Sequence, residues 1–331
     1  MVKFGIEFVP QEAYWKTIYY VIQAEKRGFD NLWITDHYNN RNVYVTLTAT
    51  AIYTKKIVLG PGVTNPYLIN PVMTAQSIAS LDELAPGRVV LGIGAGDKTT
   101  LAATGVEMQK PLTAVVETIE IFRRMMERKR VTFEGQVFKA MGTKFNFKPR
   151  GQIPIYVGAQ GPKMLETAGK IGDGVLINAS HPKDVEYAVD CVKKGISEAG
   201  KNLSDVDVTA YTSFSAHKDA EKARQAAVPV VAFIVAGSPN VILERHDVDL
   251  KKADKIREAL KVGDFGQAFG SVSPEMIEAF SVCGTPDLCI EKINKLLKAG
   301  ISQFVVGSPI GPNVRKSIDL ISEAIIPHFK K

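Results

Sequence analysis

Cysteine is scarce in this chain of 331 residues: Cys191, Cys283 and Cys289 are its only three, no two form a CxxC pair, and no histidine stands at zinc-ligand spacing from them. A disulfide framework and a structural metal finger are therefore excluded, and a reducing compartment, the cytoplasm, is expected. Long apolar runs are missing as well. The opening one is broken by Glu7, and no later stretch approaches the ~20 uninterrupted apolar residues of a bilayer span, so no membrane partner is expected. Charge of one sign is in small surplus, with 41 Lys and Arg against 35 Asp and Glu giving +6, and the basic residues are scattered along the chain. That balance suits anionic small molecules and gives no footprint for nucleic acid. Internal repeats and low-complexity segments are absent too, and a hydrophobic content of 45% excludes a disordered chain.

What is present is alternation. Short apolar or β-branched runs at 4–9, 31–37, 57–64, 88–94, 153–159, 174–179, 206–214 and 303–308 read as strands. Between most of them lie amphipathic stretches with apolar residues at three- and four-residue steps, several ending in Gly as helix C-termini do. Eight β/α units predict a single (β/α)8 TIM-barrel domain over 1–331, although periodicity does not reveal whether a sheet closes, and a doubly wound sheet with a second domain stays open. Surplus residues fall near 128–152 and 236–284, too long for ordinary connections, and are read as insertions at the C-terminal face.

In a barrel, catalytic groups sit at the C-terminal strand ends and in the loops that follow. Glu7 lies inside the apolar run FGIEF, where burial would require either a partner or a pKa raised toward the acid/base range. Asp36 and His37 end the second strand as ITDH; they make a poor metal pair and a reasonable set of hydrogen-bonding groups, and a structural role for His37 is equally open. The third strand ends LGPGVTNPY, whose Gly and Pro permit unusual backbone geometry. The fourth runs into GIGAGDKTT at 92–100, and VGAQGP at 157–162 opens a helix. Both offer amides for an anion, with Lys98, Thr99 and Thr100 adding a cation and hydroxyls, though neither run is a dinucleotide fingerprint or a P-loop. Aromatics able to flank a planar ligand include Tyr67, Tyr211, Phe214 and Phe233, and spacing does not choose among them.

FGIEFVP, ITDHY, LGPGVTNPY, DELAPGRVVLGIGAGD and the closing VVGSPIGP together resemble the bacterial-luciferase-like barrels, and within these the coenzyme F420-dependent methylenetetrahydromethanopterin reductases, over essentially the whole chain. The resemblance implies a (β/α)8 barrel holding coenzyme F420, a deazaflavin hydride carrier, at its C-terminal mouth. It implies a non-prolyl cis peptide at Gly62–Val63 behind the rings. It assigns Asp36, Thr64, Ala95, Gly96, Gln160, Gly161 and Asn178 to the cofactor, with Lys98 and Thr99 near its phosphate-bearing tail, and metal to none. It implies reversible hydride transfer to 5,10-methylenetetrahydromethanopterin as substrate, in methanogenesis from CO2. Opening the methylene bridge needs one proton on a ring nitrogen, and Glu7 is the acid expected to supply it. Homo-oligomers, dimers or tetramers, are implied, with the apolar helix at 70–84 a candidate interface. The competing readings are another F420-dependent oxidoreductase of the superfamily, an alcohol or sugar-phosphate dehydrogenase, an FMN monooxygenase, and a flavin-binding barrel without catalysis.

Overall fold

The first strand, β1 (Lys3–Phe8), is buried at every position after Lys3, as a parallel strand covered on both faces must be. The computed structural model describes residues 2–127 and 129–330 and continues the same alternation. After β1 come α1 (Tyr14–Lys26), β2 (Asn31–Ile34), α2 (Val43–Tyr53), β3 (Val58–Pro61), α3 (Pro71–Leu84) and β4 (Leu91–Ile93). Two helices, α4 (Lys98–Ala103) and α5 (Pro111–Met126), precede the hairpin β5 (Val131–Glu134) and β6 (Lys139–Thr143). Next are β7 (Ile155–Gly158), α6 (Pro162–Ile171), β8 (Gly174–Asn178), α7 (Pro182–Glu198) and β9 (Asp207–Ala216). A helical stretch follows, α8 (Ala220–Gly237), α9 (Asn240–Arg245), α10 (Leu250–Lys261), α11 (Phe265–Gly270) and α12 (Pro274–Phe280). The chain closes with β10 (Val282–Gly284), α13 (Pro286–Lys298), β11 (Gln303–Ile310), α14 (Val314–Leu320) and α15 (Ile326–Phe329).

Eight strands follow one hydrogen-bonded path, β3-β2-β1-β11-β9-β8-β7-β4, with β10 added beside β9. The registered pairs among them are parallel. The two ends of the path meet in parallel bridges, Leu59 with Val89 and Thr64 with Ile93, which closes the expected (β/α)8 barrel. All eight expected strands are present.

By compactness the chain divides into two units. The larger spans Gly5–Leu176 and Asp190–Asp207. Its core carries Trp33, Leu32, Ile34, Leu59 and Phe122, all nearly inaccessible. Here the segment APGR works as an anchor: Asp82 accepts from the Gly87 N–H (3.0 Å), and the Arg88 guanidinium donates to the Ala51, Thr54 and Ile57 carbonyls at 3.1–3.2 Å. One cation thus satisfies the last carbonyls of α2 and the entry to β3. Opposite it, the Glu25 carboxylate accepts the N–H groups of Lys55, Lys56 and Ile57. The insertion expected near 128–152 is the antiparallel β5–β6 hairpin, with Arg128 outside the described residues. Glu117 of α5 holds its turn by accepting from the amides of Gln136, Val137 and Phe138 at 2.6–3.0 Å.

The second unit contains Ile177–Val189 and the chain from Val208 onward. Its insertion, expected near 236–284, is the helical run α9 to α12, which has an apolar cluster of its own around Val231, Leu243, Ile256, Met276 and Phe280. No helix among the described residues is long and apolar enough to cross a membrane, and no group of three or more His, Cys, Asp or Glu among them is arranged to hold a metal ion.

Candidate active site

Glu7 stands one residue before the C-terminal end of β1 and is 4% exposed. Its parallel partner on β2 is Trp33, so the two side chains leave the sheet on the same face. The Trp33 ring packs edge-on against Tyr156 of β7 at 5.1 Å, although β2 and β7 are not neighbours in the sheet. A contact that skips the strands between them passes through the barrel interior, and Glu7 therefore faces that interior, near its C-terminal end.

Beyond β2 and β3 the chain builds a polar pair. The Thr64 hydroxyl donates to Asp36 Oδ2 at 2.7 Å. Burial pushes the Asp36 carboxyl above its usual range, and the Thr64 hydrogen bond and nearby His37 only partly oppose that. Thr64 is fully buried and fixed at both backbone ends, its N–H on the Gly92 carbonyl (3.0 Å) and its own carbonyl accepting from Gly94 N–H (2.9 Å). The preceding Gly62–Val63 peptide is cis, as the resemblance implied, and the Gly62 N–H donates to the Ile34 carbonyl at 2.8 Å.

The glycines of the fourth strand answer to this bulge. A Cβ on Gly92 would lie 2.0 Å from the Pro61 carbonyl oxygen, and one on Gly94 would lie 2.8 Å from Val63 Cγ2. On β7, a Cβ on Gly158 would approach both Val63 γ-carbons at 3.2 Å. Gly92 and Gly94 are thus required by packing, while Gly96 supplies a positive φ of 78°. Val63 lies between two strands stripped of side chains at its level.

After this floor come open loops. Ala95 is half-buried, and Gly96, Lys98 and Thr99 are exposed at the start of α4, whose first turn is capped by Asp97 accepting from the Thr100 N–H (2.8 Å). Gln160 and Gly161 are exposed just before α6, and no atom lies within 4 Å of where a Gly161 Cβ would stand. In the other unit Asn178 ends β8 with an exposed side chain. His37 is exposed. Of the aromatics, Phe214 is core, edge-on to Phe304, and Tyr67 donates through its hydroxyl to the Gln109 carbonyl at 2.7 Å.

The luciferase-like monooxygenase family matches residues 7–303. The chain belongs to that family. A 5,10-methylenetetrahydromethanopterin reductase of Archaeoglobus fulgidus is 55% identical over 99% of this chain and 100% of its own length. The solved structure of a coenzyme F420-dependent tetrahydromethanopterin reductase from Methanopyrus kandleri superposes with a TM-score of 0.95 at 47% identity, covering 99% of both chains. An F420-dependent secondary alcohol dehydrogenase solved with an F420–acetone adduct is more distant, at 26% identity and a TM-score of 0.83 over 98% of both chains.

In this family member the sequence-nominated residues of the larger unit do assemble: Glu7, Asp36, Thr64 and the Gly62–Val63 bulge come from strands adjacent in the barrel order, and Ala95 to Thr99 and Gln160–Gly161 follow the next two. None of them lines the cavity of about 900 Å³ in the second unit, bounded by His181, Lys183, Arg224, His246, Glu278 and Cys283 among others. Its charges are largely spent on one another, Lys292 on Glu278 and Lys295 on Glu291 at 2.7 Å each. Asp184 lies behind it, 2.7 Å from both Arg245 Nη1 and His246 Nε2. Burial raises the Asp184 carboxyl, and those two partners more than offset this, holding it below the usual range. Tyr44, half-buried with its hydroxyl inaccessible beside Thr64, does not stand out in sequence, because in the uncharged run VYVTLTATAIY an aromatic reads as core.

Proposed function

We infer that this protein transfers hydride reversibly between coenzyme F420 and 5,10-methylenetetrahydromethanopterin, giving 5-methyltetrahydromethanopterin in the direction of methanogenesis from CO2. The observation that carries the substrate is the full-length match to reductases of that name at 47–55% identity.

The residues present suit the cofactor. A planar ring system needs a flat support, and the Val63 bulge, flanked by Gly94 and Gly158 whose Cβ positions it fills, offers one. A carboxyl and hydroxyl, Asp36 with Thr64, stand at its edge, and Ala95, Gly96, Lys98, Thr99, Gln160 and Gly161 supply amides and one cation for an anionic tail. Gly62 and Val63 complete the set within the larger unit. When bound, F420 supplies or accepts the hydride.

The chain's own residues do the rest. Glu7 holds a proton in the barrel interior, shielded from bulk water, and gives it to the ring nitrogen of the substrate, so that the C–N bond of the methylene bridge breaks and an iminium carbon is exposed. In the reverse direction the Glu7 carboxylate takes that proton back. The walls hold the iminium carbon in line with the hydride donor, which is an entropic contribution needing no further acid or base.

The chain acts as one barrel domain, in the cytoplasm, with its three buried cysteines free. It assembles as a homo-oligomer, a dimer or tetramer. Support for this comes from α2, which has no charged residue and leaves Val45, Ile52 and Tyr53 more than half exposed, and from Met73 and Leu84 on α3, about half exposed. Apolar surface of that kind is rare on a monomer and suits a self-complementary interface.

The test is anaerobic mixing of the protein with reduced F420 and methylenetetrahydromethanopterin, following return of the oxidised deazaflavin absorbance. Oxidation that depends on both reactants is expected. F420 binding without oxidation would overturn the substrate and move attention to secondary alcohols and sugar phosphates, whose F420-dependent dehydrogenases are 25–31% identical or structurally alike.

A further inference from the structure

Behind Asp36 the structure places three hydroxyls in series. The first, on Thr64, donates to Asp36 Oδ2 at 2.7 Å. The second belongs to Tyr44, in the first turn of α2, where Asn42 caps the helix by accepting the Tyr44 and Val45 N–H groups at 3.0 and 3.1 Å. Its phenol oxygen is completely buried between the Thr64 and Thr74 side chains, aligned in a hydrogen bond with neither. The third, on Thr74 of α3, is equally buried and equally without an aligned partner.

A buried hydroxyl without a partner is costly, and phenylalanine would fill the Tyr44 site with no such cost. Retention of the hydroxyl therefore points to a state in which it is used. The proton count allows one arrangement that uses all three: Thr74 donates to Tyr44, Tyr44 to Thr64, and Thr64 to Asp36 Oδ2, leaving Oδ1 as an acceptor for a ligand N–H or O–H. The backbone of Thr64 is pinned to Gly92 and Gly94, so the adjustment falls on the side-chain torsions of Thr64, Tyr44 and Thr74 and on the Asp36 carboxyl. Burial pushes the Tyr44 phenol up to about 12, helped by the Asp36 carboxylate, so it stays a donor at neutral pH.

Resting on the F420 reading above, we propose that Tyr44 is a positioning residue of the cofactor site: by donating to Thr64 it commits the single Thr64 proton to Asp36 and fixes the carboxyl that meets the bound deazaflavin. Tyr44 touches neither cofactor nor substrate. It acts through Thr64, and a residue that acts through another has a signature in coupled variants.

The test is titration of the ligand-free protein with oxidised F420, read by deazaflavin fluorescence, for wild type, Tyr44→Phe, Thr64→Val and the double variant. Loss of one net hydrogen bond predicts a dissociation constant raised about 3–10-fold in Tyr44→Phe, with KM for F420 rising more than kcat falls. The melting temperature of the ligand-free variant is expected to equal or exceed that of wild type, because the hydroxyl makes no aligned bond there and its removal relieves an unpartnered buried group; a merely structural hydroxyl would lower it. In the Thr64→Val background, adding Tyr44→Phe changes affinity by less than about 1.5-fold. Unchanged affinity in Tyr44→Phe, or its full effect persisting without the Thr64 hydroxyl, overturns the proposal. If Thr64→Val fails to fold, Thr74→Val takes its place: a smaller loss that does not add to that of Tyr44→Phe is expected, and additivity overturns the chain. Failure of the wild type to bind F420 at all would instead sink the cofactor reading.

Discussion

Gly94→Ala probes the floor on which the cofactor is proposed to rest. A methyl group at this position would stand 2.8 Å from Val63 Cγ2 and 3.6 Å from the Gly158 carbonyl oxygen. Carbon atoms at rest lie about 3.5–4.0 Å apart, so Val63 has to yield by about 1 Å. Two routes are closed to it. Gly158 lies so near that its own Cβ would be 3.2 Å from both Val63 γ-carbons, and the next residue, Thr64, is held by Gly92 and Gly94 through backbone hydrogen bonds of 3.0 and 2.9 Å. What remains is movement out of the floor, toward the proposed ring site. Overpacking of this size costs about 1–3 kcal/mol, and if it falls wholly on binding the dissociation constant for F420 rises about 5–150-fold. Deazaflavin fluorescence titration reads that change, and a thermal melt of the ligand-free variant reads the share taken by stability. Gly158→Ala, with its milder 3.2 Å contacts, is expected to lose less, and Gly161→Ala, with nothing within 4 Å, to melt as wild type does. Any affinity lost in Gly161→Ala therefore reports a ligand contact and not strain. Gly94→Ala binding F420 as tightly as wild type would refute the placement of Val63 beneath the ring.

Three further outcomes are expected. Glu7→Gln removes the proton donor while keeping the volume, so turnover falls by roughly 10²–10⁴ with F420 affinity nearly intact, and near-normal turnover in a steady-state assay would dismiss Glu7 as the acid. Arg88→Ala leaves the end of α2 and the start of β3 without their shared donor; a loss of about 2–3 kcal/mol in urea titration is expected with no change in F420 affinity, and a stable variant would show that water replaces the guanidinium there. For Glu25, burial raises the carboxyl, but the amides of Ile57, Lys56 and Lys55, with Arg88, more than offset this and hold it below its ordinary 4.5. A carboxyl lowered by folding contributes stability that is complete above its unfolded value and lost as pH falls through its folded one. Melting curves of wild type and Glu25→Gln are thus expected to differ at neutral pH, with the gap narrowing as pH falls below 4.5 and on through the lowered folded value, and a gap that stays constant throughout the acid range would contradict it.

The barrel strands were legible because a parallel strand covered on both faces must be apolar throughout, and that leaves compact runs such as KFGIEF and GVLIN. Strand ends were less so. ITDH reads as strand through His37, yet β2 stops at Ile34: Thr35 N–H still reaches the Phe8 carbonyl of β1 at 3.2 Å, and at Asp36 the carboxyl accepts from Thr64 instead. The helix α8 carries Pro229 and an apolar second half, AVPVVAFIVAG, which hides its period, and it was not among the expected helices. The β5–β6 hairpin was legible only as surplus length, because what orders its turn is Glu117, far back on α5.

The site divides along the same line, between residues whose role is local and residues whose role is set by a partner strand. Glu7 stands out in sequence because a charge within an apolar run is anomalous by itself, and its burial on β1 is what that run implies. GIGAGD invites reading as an anion cradle, and amides after Ala95 remain suited to one; yet Gly92 and Gly94 are glycines because Pro61 and Val63 press on them from β3 and its bulge. Tyr44 shows the converse, since its hydroxyl has meaning only beside Thr64 and Thr74, 20 and 30 positions along the chain. It follows that substitutions at Gly94 and Tyr44 ought to act on the same observable, F420 affinity, through one intermediary, the Val63–Thr64 segment. The two variants combined should therefore lose less than the sum of their separate losses in binding free energy. Strict additivity would mean that ring floor and ring edge are supported independently, and would separate the Val63 floor from the Asp36–Thr64 pair as two devices instead of one.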